Sequence, residues 1–457
     1  MTKLRLAIVG AGPAGIYAAD ILLKAERSFD VSIDLFDHLP APYGLVRYGV
    51  APDHPRIKGI ITALRDVLDR GDIRIFGNVR FGADPAEGLT LDDLKRHYNA
   101  VIFATGAVHD AELRIPGIDA AGSYGAADFV SWYDGHPDYP REWPLDAESV
   151  AVIGNGNVAL DVARVLAKHA DDLLPTEIPA NVYEGLKASP VTDVHVFGRR
   201  GPTSVKFTPL ELRELGELRD VDMILADEDF DYDEHAQASV AGNKQIMVID
   251  RVLQSWRKRE TGQASRRLHL HFYAKPVEVV TDASGRVSAL KYERTRPDGQ
   301  GGVVGTGELR EVPVQALYRA VGYFGSPLPG VPFDEKHGVI PNHEGQVVNP
   351  DNNEQVYGVY ATGWIKRGPV GLIGHTKSDA METVEHIIND LGNWWAPESP
   401  SEASIVELLE SRGIRYTTLD GWHALDAHEI ALGEPEGRAR IKVVDRDEMV
   451  RVSRRES

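Results

Sequence analysis

The chain has 457 residues, 42% hydrophobic and 26% charged, with no cysteine. Such a length carries two or three domains of ordinary size, and the missing thiols exclude disulfides, thiolate metal sites, an internal iron–sulfur cluster and a redox-active dithiol. A formal charge of −19 argues against nucleic acid as a general partner, because phosphate binding wants a basic face; no stretch approaches the ~20 apolar residues of a membrane span, and Met1 runs almost directly into an apolar strand, so a cytoplasmic location is expected.

In chain order, residues 4–9 read as an apolar strand, 14–23 as a helix and 31–36 as a second strand, with further strands at 73–76 and 101–104. Strands alternating with helices imply an α/β fold with a parallel, doubly wound sheet. Residues 134–140, rich in Asp, Gly and Pro, form a loop, after which the pattern restarts with strand 150–153, helix 158–166 and strand 194–197. The fold expected is therefore two Rossmann-like dinucleotide-binding domains. Residues 211–234 are acidic and read as a solvated face or loop. Residues 251–267 are basic, with Arg251, Arg257, Lys258, Arg259, Arg266 and Arg267. A late helix places Ala380, Val384, Ile387, Ile388 and Leu391 on one apolar face. Beyond residue 398 the pattern is mixed, and a C-terminal extension packed on the core is expected.

Two glycine fingerprints carry the chemistry. The first strand runs into Gly10-Ala11-Gly12-Pro13-Ala14-Gly15. Gly10 permits a tight turn, Gly12 lets the backbone approach a pyrophosphate, and Gly15 lets the helix lie close to the strand. Asp37 closes the second strand, where a carboxylate can accept from ribose hydroxyls. The strand-end phrases Ala104-Thr105-Gly106 and Ala361-Thr362-Gly363-Trp364, the latter followed by a glycine-rich turn and a helix, resemble the strand-end motifs of two-dinucleotide flavoprotein reductases, and that resemblance implies FAD rather than NAD at this first site. The second fingerprint is Gly154-Asn155-Gly156-Asn157-Val158-Ala159, and the next strand ends in Gly198-Arg199-Arg200-Gly201. Two arginines in place of an acid suit a 2′-phosphate, hence NADPH over NADH. The interval between Gly156 and Arg199 is about twice the usual ~20 residues, with the excess in residues 170–190.

These stretches, together with Gly44-Leu45-Val46-Arg47-Tyr48-Gly49-Val50-Ala51-Pro52-Asp53-His54-Pro55, the helix after Asn155, Leu210-Glu211-Leu212-Arg213-Glu214-Leu215 and the segment from Trp364 to Ile373, resemble the adrenodoxin reductase-type ferredoxin–NADP⁺ reductases. The resemblance implies an FAD domain built from residues 1–106 and 320–457, with an NADPH domain, 107–319, inserted between them. By motif it implies that Gly10, Gly12, Ala14, Asp37 and Leu45 line the FAD, that Val79 meets the adenine through its backbone, and that Trp364, Gly371, Leu372 and Ile373 hold the flavin ring. Asn155, Gly156, Asn157, Val158, Arg199, Arg200 and Glu211 are implied for NADPH, with Gly371 near the nicotinamide. It further implies hydride transfer from NADPH to flavin N5 and departure of single electrons to a small acidic ferredoxin. His54 and Glu214 are the side chains nominated for proton handling, and Arg257, Lys258 and Arg259 for ferredoxin docking, since an acidic chain needs a local positive patch to meet an acidic partner. A diaphorase using a small quinone or dye and a non-catalytic nucleotide sensor are the alternatives; a thioredoxin reductase is excluded by the absent dithiol.

Overall fold

The computed structural model describes residues 3–370 and 375–456. It divides into one unit made of Met1–His109, Asp134–Asp138 and Tyr323–Ser457, and a second made of Asp110–Tyr133 and Tyr139–Gly322. The first unit opens with β1 (Lys3–Val9), α1 (Pro13–Lys24), β2 (Asp30–Phe36), β3 (Ile73–Phe76) and β4 (Ala100–Phe103). The second follows with β5 (Ser123–Gly125), β6 (Ser149–Ile153), α2 (Asn157–Ala167), α3 (Ala180–Ala188), β7 (Asp193–Phe197), α4 (Pro209–Leu215), β8 (Val221–Leu225), α5 (Lys244–Trp256), β9 (Arg266–His271), β10 (Ala274–Thr281), β11 (Val287–Pro297), β12 (Val303–Pro313) and β13 (Ala316–Arg319). The chain then completes the first unit with β14 (Asn342–His343), β15 (Gln346–Val348), β16 (Gln355–Ala361), α6 (Trp364–Arg367), α7 (His375–Asn389), α8 (Glu402–Ser411), α9 (Leu419–Gly433) and α10 (Arg446–Ser453).

The first unit's sheet runs β14-β15-β16-β4-β1-β2-β3, parallel from β16 to β3. Its central strand is buried on both faces: Leu4, Leu6 and Ile8 face one apolar cluster, Ala7 and Val9 the other. This is the near-continuous hydrophobic run that a covered parallel sheet demands. The strand order reverses between β1 and β4, and ligands of open α/β sheets bind outside the carboxyl ends of the strands at such a point.

The second unit's sheet, β8-β9-β7-β6-β13-β5, is parallel throughout. Ala151, Ile153, Phe197 and Leu317 on one face join Val279, Leu290 and Tyr292 in a shared core cluster. Those last three belong to an antiparallel sheet, β10-β11-β12, that the sequence reading left unassigned. The doubled interval after Gly156 is filled by a 3₁₀ turn, Ala170–Leu173, and by α3.

Several expectations change. The acidic stretch 211–234 is solvated only in part: Glu217, Asp220, Asp227, Glu228, Asp231 and Glu234 are exposed, but the stretch contains most of α4 and all of β8, and Glu211 and Asp229 are 4% and 1% exposed. The basic run 251–267 is not one surface, since it ends α5, turns, and enters β9 at Arg266. Leu391 lies beyond the end of α7 and is exposed, while Ala380, Val384 and Ile387 are buried as the helical spacing requires. The region past 398 is ordered into helices that enter the core, with Ile405, Leu409, Trp422, Leu425 and Met449 all buried. Arg47 is 3% exposed and forms a bidentate pair with the buried Glu429 of α9 (3.0 and 2.5 Å). That carboxylate holds the Arg47 guanidinium well above its ordinary pKa, against the desolvation that opposes it.

Candidate functional site

In the first unit, Val9 pairs with both Phe36 and Phe103, so Gly10, Asp37 and Ala104 emerge side by side at the strand ends. Gly10 has φ +115°, and a Cβ there would stand 2.3 Å from the Ala104 carbonyl oxygen; only glycine lets the chain turn this close to β4. A Cβ on Gly12 would meet only the Gly44 Cα, at 3.9 Å, which leaves space over the turn. Gly12 caps α1 without a side-chain hydrogen bond, and Pro13 occupies the first helical position. The turn therefore presents a helix N-terminus to the strand-end crevice, where backbone N–H groups and the dipole favour an anion.

Asp37 accepts from the Ala11 N–H through Oδ2 (2.7 Å) and from the Leu39 N–H through Oδ1 (2.9 Å). His38 Nδ1 also lies 3.3 Å from Oδ1, so Oδ2 is the oxygen with a second lone pair for a ribose hydroxyl. Val79 gives its N–H to the Asp37 carbonyl (2.8 Å), so its own carbonyl is the group left for an adenine. Leu45 begins the short helix Leu45–Tyr48 directly after Gly44. From the C-terminal part of the chain, a Cβ on Gly363 would lie 2.7 Å from Ala14 Cβ, so the end of β16 meets the start of α1. Trp364 follows, its ring 6.1 Å from that of Tyr323 at 27°. Gly371, Leu372 and Ile373 lie outside the described residues.

One residue that holds this turn was missed from sequence. Asp379 of α7, 6% exposed, accepts from the Thr362 hydroxyl (3.1 Å) and the Gly363 N–H (2.6 Å), and pairs with Lys366 (3.2 Å) and Arg367 (3.0 Å). A single carboxylate thus fixes the segment carrying Trp364. The only sequence signal was a lone acid following the polar residues that open α7. Uncapped helix N-terminus, open space over Gly12, a strand-end carboxylate and a pinned tryptophan together fit an FAD.

The second unit repeats the arrangement. Ile153 pairs with Phe197 and Arg319, bringing Gly154, Gly198 and Ala320 to one level. Gly154 has φ +154°, and a Cβ there would stand 2.2 Å from the Ala320 carbonyl oxygen. A Cβ on Gly156 would touch nothing within 4 Å, and Gly156 caps α2 without a side-chain bond. Asn157 Oδ1 accepts the Thr208 N–H (2.9 Å), and the Asn155 carbonyl accepts the Lys206 N–H (2.9 Å), tying the turn to the segment that leads into α4; Val158 follows in the first turn of α2. Arg199 and Arg200 are exposed, yet their backbone is anchored: the Arg199 carbonyl accepts the Thr295 hydroxyl (2.7 Å) and the Arg200 carbonyl the Tyr273 N–H (3.2 Å). A small cavity lined by Gly201, Ser204, Tyr273 and Val303 adjoins this turn. Two solvent-facing guanidinium groups on an anchored backbone, beside an open turn and a helix N-terminus, fit the phosphates of NADPH.

The residues nominated for proton handling fall in different units. His54, 2% exposed, precedes the helix Pro55–Lys58, its N–H given to the Ala51 carbonyl (3.1 Å). Glu214 sits on α4 with its Oε2 3.8 Å from Nη1 of the buried Arg164, which also holds Asp161 (2.9 Å). Glu211 is buried in the first turn of the same helix. Of the docking candidates, Arg257 is already engaged: it donates to Asp227 (2.6 Å) and to Gln254 (2.8 Å) and lies over the Phe230 ring. Lys258 and Arg259 are exposed. Among the described residues no helix is long and apolar enough to cross a membrane.

A family model described as pyridine nucleotide-disulphide oxidoreductase matches residues 4–370. The chain is 40% identical to the NADPH-ferredoxin reductase FprA of Mycobacterium tuberculosis over 99% of both sequences. It is 35% identical to the mitochondrial NADPH:adrenodoxin oxidoreductase of Arabidopsis thaliana, over 98% of this chain and 95% of that one, and 36% identical to the human protein of that name, over 98% and 91%. A solved structure of Mycobacterium tuberculosis FprA in complex with NADPH aligns with a TM-score of 0.88 at 39% identity, covering 99% of both chains.

Proposed function

The chain belongs to the pyridine nucleotide-disulphide oxidoreductase family, among the adrenodoxin reductase-type ferredoxin–NADP⁺ reductases, and from that membership we propose how its residues divide the work. It is an FAD-dependent NADPH:ferredoxin oxidoreductase. The bound FAD supplies what no side chain can, acceptance of a hydride at N5 and release of electrons one at a time to an iron–sulfur carrier. Everything else is positioning and electrostatics.

In this proposal Gly10, Gly12, Ala14 and Gly15 seat the FAD pyrophosphate on the N-terminus of α1, Asp37 takes the ribose, and Leu45 and the Val79 carbonyl border the adenosine half. Trp364, with Gly371, Leu372 and Ile373, holds the ring. Asn155, Gly156, Asn157 and Val158 seat the NADPH pyrophosphate on α2, Arg199 and Arg200 take the 2′-phosphate, and Glu211 lines the same pocket. His54, as an imidazole, is assigned to proton handling; Glu214, held by Arg164, serves that cation first. Docking of the acidic ferredoxin is assigned to Lys258 and Arg259, with Arg257 as the less available third member. Charge reversal of Lys258 and Arg259 is expected to raise the KM for ferredoxin and spare a small dye. The reaction is placed in the cytoplasm, where an NADPH pool is at hand.

The observation that carries the reading is the pair Arg199–Arg200 standing beside a second, complete glycine turn in a chain without cysteine. The test is anaerobic titration of the yellow protein with NADPH and NADH, followed by ferredoxin and cytochrome c. Bleaching at lower NADPH than NADH, then cytochrome reduction only with ferredoxin present, is expected. Bleaching with no electron passage to ferredoxin would refute it.

A further inference from the structure

The second unit contains a group of side chains that the reductase chemistry does not use. On the parallel pair β7 and β9, Asp193 stands opposite Arg267, His195 opposite His269 and Phe197 opposite His271. Alternation along each strand puts all six on one face. The intervening Val194, Val196, Leu268 and Leu270 are aliphatic and buried. The imidazoles form a ladder: His195 and His269 stack at 4.1 Å and 14°, and His195 Nδ1 lies 2.9 Å from His271 Nε2. One ring nitrogen from each of the three histidines lies within 4.8 Å of the other two.

A tetrahedral ion bound at 2.0–2.1 Å from each nitrogen needs them about 3.4 Å apart. His195 Nδ1 and His271 Nε2, 2.9 Å apart, are already near that spacing, and the nitrogen of His269 lies within 4.8 Å of both. Orientation is already set at one corner. Asp193 Oδ1 accepts from His269 Nε2 (2.8 Å) and is itself held by Arg267 Nε (2.6 Å), which fixes the tautomer and leaves the other nitrogen of His269 as the acceptor. A carboxylate behind a histidine in this way is the outer shell that metal-binding histidines keep. His269 and Asp193 are each 18% exposed at the side chain, which gives an ion a way in and leaves its fourth position to water.

We propose that His195, His269 and His271 form a binding site for a zinc-class divalent ion, oriented by Asp193 and separate from both dinucleotide sites. The donor set selects the ion: three imidazoles suit Zn²⁺ and its first-row neighbours over Ca²⁺ or Mg²⁺, which want oxygen. Because His271 also accepts the Gly198 N–H on its carbonyl (2.9 Å), the ion clamps the two strands immediately beneath the Arg199–Arg200 turn.

The test uses the full FAD-loaded chain, freed of metal with a chelator and dialysed. Calorimetric titration with Zn²⁺ is expected to show one saturable equivalent per chain, and Co²⁺ in its place is expected to add the visible bands of a four-coordinate site. Ca²⁺ and Mg²⁺ should not compete. His269→Gln, which alters a partly exposed strand residue, should abolish the saturable equivalent, and Asp193→Asn should weaken it about 10- to 100-fold. Flavin content and circular dichroism check that each variant is folded. His136→Gln is the control, because His38, His136 and Asp138 form the other candidate group among the described residues. No saturable uptake by the unsubstituted protein, uptake unchanged by His269→Gln, or uptake lost instead with His136→Gln would each overturn the site.

Discussion

The two glycine turns are built on one plan and differ where their ligands differ. Gly10 faces the Ala104 carbonyl and Gly154 the Ala320 carbonyl, with hypothetical Cβ contacts of 2.3 and 2.2 Å. The second glycine is open in both. The third position separates them: a Cβ on Gly15 would stand 2.1 Å from the Gly10 carbonyl oxygen, whereas Ala159 occupies the matching place and its Cβ lies 3.2 Å from where a Gly154 Cβ would be. The larger divergence is one strand away. Asp37 follows Phe36 and accepts the Ala11 N–H (2.7 Å); in the second unit Gly198 follows Phe197 and packs on the Asn155 side chain, with a hypothetical Cβ 2.8 Å from Asn155 Nδ2. A small residue and an acid in one turn become an amide and a glycine in the other. Specificity between the two dinucleotides is thus a paired exchange of volume and charge across neighbouring strands, followed by arginines one residue later.

The most damaging way to break the comparison is at its shared element. Gly10→Ala forces a Cβ onto the Ala104 carbonyl at a positive φ and should give protein that is colourless or fails to fold, read by flavin content after purification. Gly154→Ala inflicts the same clash on the other turn. It should leave the protein yellow while removing reduction by NADPH; equal loss of flavin in both variants would show that the two turns do not serve separate ligands. Next in size is the pair Arg199→Ala/Arg200→Ala. Each charge-assisted bond to a phosphate contributes about 1.5–3 kcal/mol, so the KM for NADPH should rise about 100-fold or more with the KM for NADH unchanged.

A sharper variant tests the exchange itself. Gly198→Asp alone should weaken both nucleotides, because its Cβ meets the Asn155 amide. Combined with Asn155→Ala, the acid gains the room that Asp37 has beside Ala11. NADH should then be preferred by a margin of about tenfold when the arginines are also removed. If Asn155→Ala gives no relief to Gly198→Asp in steady-state kinetics, the paired-exchange account fails.

The turns were legible in the sequence because glycine spacing is local: the residues that need close approach sit within six positions of one another, and the strand that feeds them is a plain apolar run. Asp379 was not legible, because its role depends on α7 being folded against a segment 16 or 17 residues earlier, and nothing local distinguishes one acid among the polar residues near the start of a helix. The histidine ladder was hidden for the same reason at longer range. His195 and His269 meet only through the register of β7 on β9, and a one-residue slip would point them to opposite faces. The basic run misled because charge was read along the chain while the backbone changed from helix to strand inside it; Arg257 spends its guanidinium on Asp227, and Arg267 faces Asp193 across two strands. The C-terminal helices went unassigned because their apolar residues are thinly spaced and are buried only by the rest of the unit.

The carboxylates extend the contrast and give the smallest effect. Asp379 is surrounded by donors, two of them cations. Asp110, at the entry to the second unit, has the Ala127 N–H (3.1 Å), the Ala126 N–H and the charge of Arg319 to stabilise it, yet burial, with Asp128 adding to it, raises its carboxyl to about 6. A carboxyl whose folded value lies above its unfolded value near 4 binds more protons folded than unfolded between those values. Its contribution to stability is therefore complete below about pH 4, falls as the pH rises towards 6, and stays lost above that. Asp110→Asn removes the ionisation and keeps the acceptor oxygen for Ala127. The variant should melt a few degrees higher than the parent at pH 7, on the order of 2 kcal/mol in stability, and the two should converge as the pH falls to 4. A parent whose melting temperature relative to the variant is flat from pH 4 to 7 would mean that the Asp110 carboxylate is solvated in the folded chain, and that the second unit meets the charge at its entry as comfortably as the first holds Asp379.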